Sequence, residues 1–225
     1  MKLMFDYWNI EIGTLCISVL GGTKNFKMKK KEKYIFYQGL IKAVKTTNAL
    51  ILTSGLNLGI TRFVGDAIQN GQCDLYDKAK GNNSLCCLGI APWGFVKNKK
   101  ILEHAKVNRI KIIVKVSNEI LLTEPVSLNK NHTHYLFVDE HERFDYSNSK
   151  ASDFREALEK KLSQRTKNKE PIPVVLLLIE GEYDVFFEAS KRIKENVPIV
   201  ICVGTGRASD LLGEAFREMQ KYPIK

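Results

Sequence analysis

The sequence predicts an α/β fold with a mainly parallel central sheet and helices on both faces, the layout of a three-layer sandwich. Short apolar runs alternate along the 225 residues with longer segments of helical periodicity, as in successive strand–helix–strand units. The apolar runs are continuous rather than alternating, which is typical of strands covered on both faces. Glycine follows most of these runs, where a strand must turn into a helix.

The first half of the chain predicts three strands and two helices. The strands are the apolar runs TLCISVL (14–20), ALILTS (49–54) and LCCLGIA (85–91). A helix is predicted over 33–47 because its apolar side chains recur on one stripe. A shorter helical pattern, 61–70, leads towards the third strand.

The second half predicts four more strands, at 110–116, 134–139, 173–179 and 198–203. A helix over 152–162 begins with Ser152 as a cap and Asp153 in the first turn. Helical periodicity also covers 183–195 and 207–220, whereas the polar segments 117–132 and 140–150 predict surface loops. We therefore assign 14–221 to a single domain and 1–13 to an N-terminal extension.

Composition narrows the class of protein. The longest uncharged apolar run, 172–179, is far shorter than the roughly 20 residues that a membrane-spanning helix requires, so we expect no membrane insertion by this segment. The five cysteines show no CxxC or zinc-ligand spacing, which suits a reducing, cytoplasmic setting. His132 and His134 lack further ligands nearby, so a structural role is favoured over a metal site.

The net charge of +10 predicts an anionic partner of some kind. The densest lysine cluster, KMKKKEK (27–33), carries no base-stacking aromatic pattern and belongs to no nucleic-acid module. Solvated helix and loop faces are therefore favoured over nucleic-acid binding, which is kept as the least favoured hypothesis.

Ligands of open α/β sheets bind beyond the carboxyl ends of the strands, so the residues after each strand are the candidates for a site. Neither GGTKNF nor GTGR is a complete nucleotide-binding fingerprint of the Walker or dinucleotide type. Glycines in the residues after a strand let a ligand approach the backbone amides of the turn. Five segments follow predicted strands: GGTKNF (21–26), GLNLGITR (55–62), PWGF (92–95), EGEYD (180–184) and GTGR (204–207).

Six ordered segments together resemble the N-terminal SLOG domain of melastatin-type transient receptor potential (TRPM) cation channels. They are ISVLGGTKNF, ALILTSGLNLGITRFVGDAI, LGIAPWG, LNKNHTHYLFVD, IPVVLLLIEG and VPIVICVGTGRASDLL, and they span about residues 14 to 215. The resemblance implies a Rossmann-like fold. It further implies a domain that requires no cofactor and is not an enzyme. It also implies a cytoplasmic domain that senses ADP-ribose or a related nucleotide and belongs to a homotetramer when part of a channel.

The resemblance assigns ligand contacts to four parts of the chain. Departures from the family pattern are Leu20 for threonine, Ala157 for a second arginine after Arg155, and Glu182 for the second glycine of a pair. The candidate ligand-binding residues are Thr23, Lys24 and Asn25; Gly55, Asn57 and Gly59; Arg155; and Gly204, Thr205, Gly206 and Arg207.

Two alternatives remain open at this point. One is a nucleotide phosphoribohydrolase or N-glycosidase related to the LONELY GUY enzymes, in which Asp210 takes the place of the catalytic glutamate and Arg207 replaces the signature threonine. The other concerns Arg207, which we expect either to bind ligand phosphate or to pair with an acid such as Asp210 or Glu182 and hold the last helix in place.

Overall fold

The computed structural model describes residues 4, 7, 8, 10, 13–24, 26–76, 85–103, 124–139, 150–164 and 170–222, without the side chains of 72–76 and 103. The strands are β1 (Cys16–Gly21), β2 (Leu50–Thr53), β3 (Cys86–Pro92), β4 (His134–Val138), β5 (Val174–Ile179) and β6 (Ile199–Cys202). The helices are α1 (Lys30–Thr47), α2 (Gly59–Tyr76), α3 (Lys99–Glu103), α4 (Lys150–Ser163), α5 (Tyr183–Lys194) and α6 (Arg207–Lys221). A 3-10 turn, Trp93–Phe95, follows β3.

The six strands form one parallel sheet in the order β4-β3-β2-β1-β5-β6. The predicted α/β class and parallel sheet are confirmed. The five segments that follow the strands begin at the carboxyl edge of this sheet. The seventh predicted strand, 110–116, lies outside the described residues. The chain runs outwards from β1 to β4 and then returns to β5 on the other side of β1, so the strand order reverses between β1 and β5.

Helices cover both faces of the sheet, as the continuous apolar runs predict. One face of β1 and β2, with Ile17, Val19 and Ile51, packs against α1 and α2. The opposite face, which includes Leu50 and Leu52, packs against α4. Further along, Leu178 of β5 packs with Val185 of α5 and Ala208 of α6.

Residues before β1 also join the core. Met4 and Ile10 are buried in the same cluster as α4, with 1% and 6% of their surface exposed. Residues 1–13 were predicted as an extension, and these two side chains within that range pack against the sheet. Among the described residues, no helix combines the length and the apolar character that crossing a membrane demands.

Candidate functional site

A cleft of about 130 Å³ opens at the carboxyl edge of the sheet, where the strand order reverses. Open α/β sheets bind ligands at this position because the loops on either side of the reversal diverge and leave a crevice. The cleft is lined from β1, β3, α2, α4 and α5 and from the loops that follow β1 and β2. The sheet topology therefore brings together residues from across the chain.

The loop after β1 forms one wall through Gly21, Gly22 and Thr23. A Cβ at Gly22 would lie 1.7 Å from Oε2 of Glu180, so any larger residue would have to displace the Glu180 carboxylate. The carbonyl of Gly22 accepts the amide hydrogen of Ile60 at 2.9 Å, in the first turn of α2. The loops after β1 and β2 are thereby held together.

Hydroxyl groups and one guanidinium give the cleft its hydrogen-bonding capacity. Ser54 and Thr61 lie 3.0 Å apart through their Oγ atoms, and Ser152 faces the cleft from the first turn of α4. Arg155, one turn further along α4, is 8% exposed. This wall offers donors and acceptors from three separate elements.

The Arg155 guanidinium is incompletely paired. Its Nη1 donates to the carbonyl of Val19 at 3.2 Å, and its Nε lies 3.6 Å from Oε1 of Glu159. At that distance Nε makes no hydrogen bond within the described part of the chain. A buried donor without a hydrogen-bond partner is costly. The guanidinium as a whole lines the cleft, where a ligand acceptor can approach it.

Acidic side chains of α5 complete the lining, and the sequence-based candidates did not include them. Asp184 and Glu188 are four residues apart and therefore share a face of the helix. Glu188 also accepts from Nε of Arg192 at 2.9 Å. The position of Asp184 in EGEYD, directly after a strand, could have indicated it as a cleft residue. The same segment is also typical of an ordinary polar turn.

The GTGR segment lies beside the cleft rather than in its lining. The amides of Ala208 and Ser209, in the first turn of α6, donate to the carbonyls of Gly181 and Glu180 at 3.2 and 3.0 Å. The hydroxyl of Thr205 donates to the carbonyl of Cys202 and accepts the amide hydrogen of Glu180. Several polar groups that we expected to meet a phosphate are thus bonded within the protein.

Arg207 pairs with two carboxylates from the loop after β5. Its Nη1 lies 2.7 Å from Oε1 of Glu182, and its Nε lies 3.2 Å from Oε1 of Glu180. Lys24 approaches the same Glu182 oxygen at 3.2 Å. Of the acids considered from sequence, Glu182 is the partner, whereas Asp210 accepts the amide hydrogen of Gly204 at 2.6 Å.

Two further candidates, Gly55 and Asn57, have structural contacts. Gly55 has a φ of 70°, and a Cβ there would lie 2.8 Å from the Cα of Gly89. The side chain of Asn57 accepts from Nδ2 of Asn129 at 3.1 Å. Neither residue lines the cleft. Gly59, by contrast, faces the loop after β1, because a Cβ there would lie 1.9 Å from the carbonyl oxygen of Gly22.

The remaining candidate of this loop, Asn25, lies outside the described residues. The two histidines of the NHTH segment take structural positions. His132 is buried beside Thr53, and His134 packs against Trp8 with ring centroids 5.3 Å apart. The described residues contain no group of three metal-ligating side chains.

The fold and the cleft define a class: a Rossmann-like α/β domain with a polar cleft at its strand reversal. Comparison with known proteins gives the family. The family model described as SLOG in TRPM matches residues 1–223, and the chain belongs to this family.

Full-length channels are among its relatives. The transient receptor potential cation channel subfamily M member 6 of Mus musculus is 35% identical over 98% of this chain and 10% of its own length. Member 1 of Mus musculus is 37% identical over 96% of this chain and 13% of its length. Member 7 of Homo sapiens is 33% identical over 98% and 12%. The chain thus corresponds to a small part of each relative.

Proposed function

We propose that this chain is the nucleotide-sensing and assembly domain of a TRPM-type cation channel, or of a stand-alone relative, and that its ligand is ADP-ribose or a related nucleotide. The observation that carries the proposal is the cleft at the strand reversal, with the guanidinium of the buried Arg155 on the wall and its Nε without a hydrogen bond among the described residues. Guanidinium groups are well suited to phosphate oxygens. The hydroxyls of Ser54, Thr61 and Ser152 suit ribose.

A sensing domain binds its nucleotide without hydrolysing it. In the hydrolase alternative Asp210 is the acid, yet its carboxylate accepts the amide hydrogen of Gly204 in its own loop. Burial raises the pKa of the Cys86 and Cys202 thiols, which disfavours the nucleophilic thiolate form. The hydrogen-bonded Asp210 carboxylate and the raised thiol pKa values together favour a binding domain over an enzyme.

The assembly part of the proposal is supported by α6. Phe216 and Met219, three residues apart, share a face of this helix and are 59% and 64% exposed, and Leu211, two turns before Met219, is 59% exposed. Exposed apolar helix faces of this kind are typical of protein–protein contacts. We place the domain on the cytoplasmic side of the membrane in a homotetramer. Cross-linking of the full-length protein that traps nothing larger than a monomer would contradict that placement.

Calorimetric titration with ADP-ribose tests the ligand part. Ser152→Phe fills the cleft from the half-buried Ser152 position in the first turn of α4, whereas Ala157→Phe adds the same side chain at an exposed position of that helix outside the cleft. We expect the wild type and Ala157→Phe to bind alike and Ser152→Phe to lose at least about 10-fold in affinity, or about 1.4 kcal/mol. Equal binding by all three chains would place the ligand elsewhere, and binding by none would refute nucleotide sensing.

A further inference from the structure

Glu182 connects two cations from different loops at the edge of the cleft. Its Oε1 lies 2.7 Å from Nη1 of Arg207 and 3.2 Å from Nζ of Lys24. Lys24 follows Thr23, and Glu182 precedes Asp184 by two residues; both neighbours line the cleft. The side chains of Lys24 and Arg207 are 57% and 53% exposed, so a dissolved anion can reach them.

The position of Glu182 makes this arrangement unusual. Glu182 is the residue before the first turn of α5, where a short acidic or hydroxyl side chain ordinarily accepts an amide hydrogen of its own helix. Glu182 makes no such cap, and its carboxylate extends to Arg207 and Lys24 instead. The acid within the first turn of α5 is Asp184.

Glu180 holds Arg207 in place independently of Glu182. Glu180 is 4% exposed, and its Oε1 lies 3.2 Å from Nε of Arg207. Its other oxygen accepts the amide hydrogen of Gly181 at 3.1 Å. Removal of the Glu182 contact therefore leaves Arg207 anchored at its Nε while its Nη1 loses its carboxylate partner.

The charges around the cleft leave no surplus of cations for a phosphate. Among the described side chains of the cleft and of the ion pairs beside it, four cations face five carboxylates, so a pyrophosphate that joined this set would add negative charge to a region whose net charge is already −1. A pyrophosphate that replaced a carboxylate would not. The cations are Lys24, Arg155, Arg192 and Arg207, and the carboxylates are Glu159, Glu180, Glu182, Asp184 and Glu188.

We propose that Glu182 is an internal competitor of the anionic ligand: its carboxylate occupies the Lys24 and Arg207 contacts, and a pyrophosphate group binds by displacing it. This inference rests on the proposed nucleotide function of the same cleft and adds what sets its affinity. Lys24 and Arg207 then pair with Glu182 in the free protein and with the pyrophosphate in the complex. Ligands without phosphate gain nothing from the exchange.

Glu182→Gln tests the inference because glutamine keeps the shape of the side chain and removes its charge. We expect ADP-ribose and inorganic pyrophosphate to bind about 3- to 10-fold more tightly than to the wild type, since two exposed ion pairs no longer compete. Adenosine should show no gain. Glu182→Asp, whose carboxylate is one carbon shorter, should tighten pyrophosphate binding less. Glu218→Gln removes the same charge near the end of α6 and is the matched control.

The outcomes separate this inference from the function on which it rests. If the wild type binds ADP-ribose and Glu182→Gln binds it and pyrophosphate no more tightly, the competitor is refuted while nucleotide binding stands. Equal tightening in Glu218→Gln would show a general effect of charge and also refute the competitor. If neither wild type nor Glu182→Gln binds ADP-ribose, both proposals fail. Binding by Glu182→Gln alone would support both.

Discussion

Two residues at the edge of the cleft, Glu180 and Arg207, share an unusual backbone conformation. Their φ angles are 56° and 49°, in the left-handed region that side chains with a Cβ seldom adopt. They also form an ion pair with each other. Such strain persists only where surrounding contacts impose it, and it concentrates at functional sites. The backbone amide of Gly181 donates a hydrogen bond to the side chain of Glu180, and that of Ser209 donates to the Glu180 carbonyl. These hydrogen bonds are the local contacts that hold the pair.

A second residue-scale feature is the buried His132. Its Nε2 lies 2.6 Å from the hydroxyl of Thr53, which also accepts the amide hydrogen of Gly55. Burial lowers the pKa of His132 to about 3. The imidazole stays neutral in the folded protein well below the pH at which it is protonated in the unfolded chain.

We predict that acid destabilises the protein partly through His132. The unfolded-state pKa is about 6.5 and the folded-state pKa is lower, so the unfolded chain binds the extra proton between these values. Stability is therefore fully present above about pH 6.5 and is lost as the pH falls towards 3, by at most about 1.4 kcal/mol per pH unit. Urea unfolding of wild type and His132→Gln at pH 7, 6 and 5 measures this.

The pH range above 5 separates histidine from the carboxylates, which titrate mainly below it. His134 needs its own variant, His134→Gln, because burial lowers its pKa as well. We expect the His132→Gln curve to be flatter than the wild-type curve. Parallel curves would show that His132 is not the group responsible.

At the scale of elements, α4 and α5 are joined by buried charges. Arg192 of α5 is fully buried, with its Nη1 2.6 Å from Oε2 of Glu159 of α4. Glu159 also accepts the hydroxyl hydrogen of Ser18 of β1 at 2.6 Å. This network lies between the helices and the sheet, directly behind the Arg155 wall of the cleft.

We predict that Arg192→Met destabilises the protein by about 3 to 5 kcal/mol, because it leaves the buried Glu159 carboxylate without its nearest cation. Lys160→Met is the control, since the Lys160 side chain is half exposed and its partner Glu156 keeps a second cation in Lys191, and it should leave the denaturation midpoint nearly unchanged. Denaturant unfolding of both variants checks this. Glu159→Gln added to Arg192→Met should restore part of the loss, and a double variant no better than Arg192→Met would contradict the explanation.

The sequence predicted the strands and most helices of the described region because their apolar periodicity is local. It placed the start of the second helix at 61 rather than at Gly59, since that start depends on the contact of Gly59 with Gly22 from another loop. It missed the short helix α3, whose five residues carry too little periodicity. Thr23 and Arg155 were predicted and line the cleft. The bonding of Thr205 to the amide of Glu180 was not predicted, because its partner lies about 25 residues away, whereas Glu182 was named from the sequence as one possible partner of Arg207.

At the scale of the whole molecule, the sheet depends on a close contact at its centre. Gly21 ends β1 beside β5, and a Cβ at this position would lie 2.0 Å from the carbonyl oxygen of Ile179. The backbone of β5 cannot move aside without breaking the pairing of the two strands. The crevice between their loops depends on the same pairing.

We predict that Gly21→Ala and Gly39→Ala change stability in opposite directions. Gly21→Ala should cost roughly 3 kcal/mol or more through its clash with backbone. Gly39 lies inside α1, and apart from the neighbouring backbone of that helix no atom of the described residues lies within 4 Å of the position a Cβ would take, so Gly39→Ala should stabilise by about 0.5 to 1 kcal/mol. Thermal unfolding of both variants measures the difference. A Gly21→Ala variant as stable as the wild type would show that β1 and β5 can separate at this end.

The pairing of β1 with β5 also has a kinetic consequence during synthesis. Cys16 pairs with Val174, so the strand at the centre of the sheet waits for most of the chain to leave the ribosome before its second neighbour arrives. Until then one edge of β1 is open, and its unpaired amides and carbonyls can recruit other chains. A cleft built at this seam is therefore complete only when the late strands are in place, so a ligand bound there, as proposed above, would report completed folding rather than assist its early steps.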